Sequence, residues 1–212
     1  TGQMWLEVEL LRDRNLPVCF CQSTSYRNEP NPVVGRHDLI FPMFEFETHG
    51  GKDELLKLER ELLEHLGFGK AESFPEGKYT DVAKQYGTEE LEHEHEARLN
   101  IDYGPVFLLK DFPNMTSPFW NMRQSKTGDY AEKVDVILHG VETIGSAERS
   151  CDREEMRKKF ETISDGQYAR TLYSRFSKER VDNEMNEFLK FEFFPRSGGG
   201  IGVTRMIKAM EL

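Results

Sequence analysis

Cysteine is scarce in this chain. Three occur in 212 residues, Cys19, Cys21 and Cys151, so the count is odd. Cys19 and Cys21 lie two apart in an expected strand, point the same way, and are poorly placed to bridge each other. A disulfide framework is therefore excluded, and a reducing, cytoplasmic setting is expected. No apolar run approaches the length of a membrane span, and the first residues lack the basic-then-apolar pattern of a signal peptide. Basic charge is also short: 28 Lys and Arg stand against 38 Asp and Glu, a formal net charge of −10. That balance argues against a surface built mainly for nucleic acid, but not against a local cationic site for a phosphate. No G-x-S-x-G elbow is present, and no histidine can be assigned to either Cys19 or Cys21, so a nucleophilic triad has no support.

What is present reads as one α+β domain over residues 1–212, with a mainly antiparallel sheet flanked by helices. Residues 4–13 predict a short helix. Strands are expected over 16–26 and 37–48, joined as a long hairpin by a loop at 28–35 that holds two prolines, two asparagines and a glycine. Leu55, Leu58, Leu62, Leu63 and Leu66 recur at helical spacing within 52–66, and Gly67 ends that helix. Two short helices are expected over 79–98, separated near Gly87. Strands follow at 105–110, 134–139 and 141–144, with a loop over 111–118. A charged helix over 152–163 carries Asp152 as its cap, and a long helix runs from about 165 to 188. Phe191 to Phe194 reads as a strand. The glycine run after it leads into a last helix from Val203.

Two distant segments carry the chemistry. The first is Tyr26-Arg27-Asn28-Glu29, followed by Arg36-His37-Asp38-Leu39-Ile40-Phe41. The second is Pro195-Arg196-Ser197-Gly198-Gly199-Gly200-Ile201-Gly202-Val203-Thr204-Arg205. Arginine offers a rigid fork of donors for phosphate. Alternation places Arg27 and Glu29 on one face of their strand, and Phe41, Met43 and Glu45 on one face of its partner. The glycines remove side chains where backbone must pass close to a neighbour. Other features read more plainly. Histidines two apart in Glu92-His93-Glu94-His95-Glu96 diverge on a helix and do not share one ion. Lys158, Lys159, Arg170, Arg175, Lys178 and Arg180 alternate with Glu154, Glu155, Glu161 and Glu179, the pattern of solvated helix faces.

YRNEPNPVVGRHDLIFPMFEFE resembles motif 2 of class II aminoacyl-tRNA synthetases of the Asp, Asn and Lys branch, at about residues 20–47. SGGGIGVTRMI resembles their motif 3, at about 191–212. TGQMWLE, GTEELEHEHEARL, PVFLLKDFPNMTSPFWNM and VDVILHGVETIGSAER resemble further stretches of that branch in the same order. Asparaginyl-tRNA synthetases, and the related class II asparagine synthetases, are the most similar members.

The resemblance implies a ligase that uses ATP and magnesium to convert asparagine or aspartate into an aminoacyl-adenylate. It implies that Arg27 meets the α-phosphate and the substrate carboxylate. Glu29 would read the adenine amine, and Phe41 would stack on the ring. Arg36 and His37 would face the outer phosphates, and Gly202 would pass close to the nucleotide. Arg205 would take the other face of the adenine and the γ-phosphate. Glu142 would hold magnesium, and Gln3, Glu45 and Arg149 would line the amino-acid pocket. The partners implied are tRNA as acceptor and a second copy of the chain, with no membrane. Motif 1, which builds the family's dimer, would stand before Thr1, and no anticodon-binding domain is visible within 1–212. Ile40, Ala147 and Ser117 depart from the family pattern, in ways that bear on the metal surroundings and the side-chain pocket. Two alternatives stay open: an asparagine synthetase acting on free aspartate, and a paralogue that keeps the fold without the chemistry.

Overall fold

Why the middle of this molecule carries a ligand-sized space follows from the order of its strands. The structure, a computed structural model, describes residues 2–28, 32 and 38–212. Among them, seven strands form one sheet in the order β1-β2-β7-β6-β5-β4-β3. Their ranges are β1 Val18–Tyr26, β2 Ile40–His49, β3 Glu76–Lys78, β4 Val106–Pro113, β5 Tyr130–Leu138, β6 Val141–Glu148 and β7 Arg196–Gly202. Every neighbouring pair is antiparallel except β3–β4. β1 and β2 form the long hairpin expected from the sequence, in an unbroken register from Val18↔Thr48 to Tyr26↔Ile40.

Helices cover both faces. On the back, α2 (Lys52–His65) and α8 (Val203–Met210) pack on the apolar side chains of β5 and β6. Leu63, Val134, Val136, Ile144 and Met206 are buried there together. The front carries α1 (Gly2–Arg12) over β1, β2 and β7, and α3 (Tyr79–Tyr86) and α4 (His93–Tyr103) over β4 and β5. A third block, α5 (Arg153–Thr162), α6 (Gln167–Phe176) and α7 (Lys178–Phe188), closes on Trp120, Phe160 and Phe188. Asp152 caps α5 by accepting from the Glu155 N–H at 3.0 Å, as its sequence position predicts.

Four expectations are corrected. The helix expected over 165–188 is two, because Ser177 has φ +68° and its hydroxyl accepts from the Arg180 N–H to start α7. The loop expected at 111–118 begins as strand. β4 continues through a bulge at Asp111, whose φ is +61°. The second short helix reaches Tyr103. The aromatic stretch 191–194 is not a strand. The glycine run is one, because β2 and β6 both pair with it and satisfy its backbone from two sides.

Candidate active site

β7 is a strand almost without side chains, set in the centre of the sheet. Gly200 pairs with Glu45 on one side and with Gly145 on the other, and paired residues share a face. The front face here is therefore a trough. It is already full at its edges. A Cβ on Gly200 would lie 2.7 Å from Met43 Cε and 2.9 Å from Gln3 Nε2, and one on Gly198 would lie 2.2 Å from the Glu47 carboxyl carbon. Glycine at these positions is a steric requirement, not a mark of looseness.

Over the trough lies a cavity of about 250 Å³. Gln3, Arg27, Phe41, Glu45, Glu142, Gly202 and Arg205 line it, all singled out from the sequence. Ser25, Asp38, Met43, Thr143 and Thr204 also contribute to its walls. The Arg27 guanidinium lies over the Phe41 ring, 5.3 Å from its centroid. Arg205, in the first turn of α8, donates from Nη1 to the Glu142 carbonyl at 2.5 Å and stands 3.8 Å from Glu142 Oε2. Glu29, Arg36 and His37 lie outside the described residues.

Glu142 reaches the front through an irregularity that strand alternation does not reveal. The β5–β6 register shifts, so that Val136 faces Ile144 while Ile137 faces Glu142. The extra residue, Thr143, turns Glu142 to the cavity side. There it meets Asp135, a buried residue that the sequence reading missed. A Cβ on Gly145 would lie 3.1 Å from Glu142 Oε1 and 3.5 Å from Asp135 Oδ1, and that Asp135 oxygen has no hydrogen-bond partner. Asp135 is pushed up to about 7, by burial first and then by Glu142 and Glu96, against the pull of Lys133. Strand position alone marks Asp135 as a core residue, and its charge type was the available signal. Glu96, from the acidic stretch of α4, accepts from the Glu142 N–H at 3.3 Å. No cluster of three or more metal-ligating side chains occurs among the described residues.

Arg149 is placed elsewhere. It does not line the cavity. It is 3% exposed and donates from Nε to Glu47 Oε1 at 2.9 Å, with Nη2 on the same oxygen. Behind it, Arg196 donates from Nε to Glu7 Oε1 at 2.9 Å, and Asn121 donates to Glu7 Oε2 at 2.8 Å. Glu47 is pushed up to about 7, by burial first and with help from Glu7, while Arg149 opposes. The cation expected at the amino-acid end is thus already matched by a protein carboxylate. Cys19 and Cys21 do share a face of β1, and burial is the first cause that raises both thiols.

Comparison with known proteins agrees with this fold. A family model described as class II tRNA synthetases (D, K and N) matches residues 15–211. An aspartate–tRNA(Asp) ligase of Pyrobaculum aerophilum is 28% identical over 108 residues, covering 51% of this chain and 22% of that protein. The asparaginyl-tRNA synthetase of Entamoeba histolytica, solved with asparaginyl-adenylate, superposes with a TM-score of 0.78 at 19% identity, over 99% of this chain and 52% of that one. The Pyrococcus horikoshii asparaginyl-tRNA synthetase, solved with the same adenylate, gives 0.77 at 17% identity, over 100% and 53%. An aspartyl-tRNA synthetase of E. histolytica gives 0.75 at 16%, over 99% and 48%. These likenesses establish a shared fold, and this chain spans about half the length of the solved relatives.

Proposed function

The chain belongs to the class II tRNA synthetases (D, K and N), and on that premise we propose that it activates asparagine with ATP, forming asparaginyl-adenylate for transfer to tRNA. The observation that carries this reading is the convergence of Arg27, Phe41, Glu142 and Arg205 on one cavity floored by Gly200 and Gly202. These residues come from three strands, β2, β6 and β7, from the residue that follows β1, and from α8, and they span positions 27 to 205.

In the reaction an oxygen of the amino-acid carboxylate bonds to the α-phosphorus, and the bond from that phosphorus to the β-phosphate bridging oxygen breaks. Pyrophosphate leaves with the electron pair. The carboxylate is already a nucleophile, so no general base is required, and alignment and charge neutralisation carry the catalysis. Arg27 meets the α-phosphate, and the adenine stacks on Phe41. Arg205 is held in place by Glu142 before any ligand arrives, so it loses little freedom when it meets the nucleotide. Gln3 and Glu45 form the amino-acid end.

The magnesium implied by the family fits this donor set. Asp135 offers a buried oxygen without a partner beside the Glu142 carboxylate. Magnesium is commonly held by one or two carboxylates together with substrate phosphates. When bound there it neutralises charge on the phosphate oxygens.

Asparagine is favoured over aspartate by the pairing of Arg149 with Glu47. Among the described residues the only cationic side chains lining the cavity are Arg27 and Arg205, both assigned here to the nucleotide, so none is left to balance an acidic side chain. The test is amino-acid-dependent ATP–pyrophosphate exchange, run separately with asparagine, aspartate and lysine. Exchange with asparagine is the expected result, and exchange with aspartate alone would replace it with the aspartate reading. Arg27→Ala and Arg205→Ala are each expected to lower exchange about 10²- to 10³-fold with the melting temperature held. Unchanged exchange in both variants would overturn the assignment.

A further inference from the structure

The first turn of α1 is capped from outside the helix. The first N–H groups of a helix have no partner within it. Here Glu45, on β2, meets two of them. The Gly2 N–H donates to Oε2 at 3.1 Å and the Gln3 N–H to Oε1 at 3.4 Å. The carboxylate charge also sits at the positive end of the helix. Glu45 is 1% exposed, so it has little access to water as an alternative partner. A further donor fixes it from the neighbouring strand: Ser23 Oγ donates to Glu45 Oε2 at 2.5 Å. The fit is close, since a Cβ on Gly2 would lie 2.3 Å from Glu45 Oε2 and 2.9 Å from Cys21 Sγ.

The next residue, Gln3, lines the cavity, with its Nε2 above Gly200. Ser23 is not part of the cavity wall. It reaches the cavity through a chain of contacts: its hydroxyl to Glu45, Glu45 to the first two amides of α1, and α1 to the Gln3 carboxamide. We infer that Ser23 is a positioning residue for the amino-acid end of the cavity, locking Glu45 and thereby the height and rotation of the turn that carries Gln3. This rests on the proposed amino-acid activation. A hydroxyl bonded to a carboxylate is one of the stronger neutral–charged hydrogen bonds. Without it, the Glu45 side chain regains other staggered conformers, and the first turn of α1 follows it. The nucleotide end serves as the control, because Arg27 and Phe41 share the β1–β2 hairpin with Ser23 and Glu45 while Arg205 does not. Phe41 and Arg205 stand on β2 and α8, and Arg27 just beyond β1.

Ser23→Ala is expected to raise the KM for the amino acid about tenfold, the effect of roughly 1.4 kcal/mol. The KM for ATP should stay within about twofold. Ser23→Thr, which keeps the hydroxyl, should restore the amino-acid KM. Amide hydrogen exchange supplies a readout independent of catalysis. Exchange at residues 3–5 should speed up about tenfold in Ser23→Ala, with α8 unchanged. If the wild-type protein shows no pyrophosphate exchange, the activity reading fails, while faster amide exchange confined to α1 still supports the positioning contact. Equal amide exchange in wild type and Ser23→Ala overturns the inference. So does a KM for ATP that rises in step with that for the amino acid, or Ser23→Thr behaving as Ser23→Ala.

Discussion

The block of α5, α6 and α7 and the front of the central strands both exclude water, but by opposite means. In the helical block, Trp120 packs edge-on against Phe160 and Phe188, with ring centroids 5.8 and 5.6 Å away. Large apolar shapes fill the space, and the energy follows buried area and packing. At the front of β2, β7 and β6, the same exclusion is achieved with Glu7, Glu47, Arg149 and Arg196, all buried, packed over glycines. Charges there are balanced pair by pair, and side chains are removed, not added. The contrast explains where the cavity lies. A region closed by shape is filled and leaves no room for a ligand, whereas a region stripped of side chains and framed by directed bonds can keep a space open.

The largest effects should separate the two principles. Arg196→Met strands the Glu7 carboxylate in the interior and is expected to cost about 3–5 kcal/mol, with most of that recovered by adding Glu7→Gln. Trp120→Ala is expected to cost a similar 3–5 kcal/mol through a cavity, with no rescue from any charge change. Urea unfolding of Arg196→Met, Arg196→Met/Glu7→Gln, Trp120→Ala and Trp120→Ala/Glu7→Gln measures both. If Glu7→Gln fails to rescue Arg196→Met, the pairwise account of the front face is wrong.

Intermediate effects lie within β7 itself. Gly198→Ala forces a methyl against the Glu47 carboxylate, which Arg149 holds in place, and should cost about 1–3 kcal/mol. Gly200→Ala presses on the far ends of Met43 and Gln3, with Glu45 Cγ in ordinary contact at 3.8 Å. Those ends can yield, so stability should change by less than about 1 kcal/mol. They yield into the cavity, however, and the amino-acid KM should rise about tenfold or more. Melting curves together with exchange kinetics distinguish the two glycines.

The most gradual effect, spread over several pH units, concerns pH. Glu59, on the back face, is pushed up to about 8 by burial first, with Asp135 adding and the Ser146 hydroxyl opposing. Its ordinary value is 4.5, so between these values the folded state binds the extra proton. The stability this contributes is complete below the unfolded value and is lost as pH rises through the folded one, at up to about 1.4 kcal/mol per pH unit. Glu59→Gln keeps an acceptor for Ser146 and should flatten part of the decline in melting temperature from about pH 5 to pH 8. Glu47 and Asp135, raised in the same direction, would keep the remainder. A slope unchanged in Glu59→Gln would show that Glu59 does not carry it.

Much of this molecule could be read before folding. The leucine stripe of α2, the alternation of the β1–β2 hairpin and the Asp152 cap are local patterns, and each appears where its spacing places it. Most of the cavity-lining set was legible too, because arginines, an aromatic residue and glycines in two motifs carry a family resemblance that spacing alone lacks. Ser177 broke a helix that looked continuous, because a single residue at positive φ leaves no mark in hydrophobic periodicity.

What the sequence determined by itself was which residues share a face of their own element. What the tertiary structure decided was which elements became neighbours. Gly198 to Gly202 read as a path into a helix, and became the floor of the site only because β2 and β6 closed on either side. Glu142 and Asp135 were brought together by one shift in register, Arg149 was claimed by Glu47, and Ser23 found Glu45 across the hairpin. The physical reason is that side-chain periodicity is a property of a single segment, while a hydrogen bond or ion pair needs two groups placed within about 3 Å by separate segments.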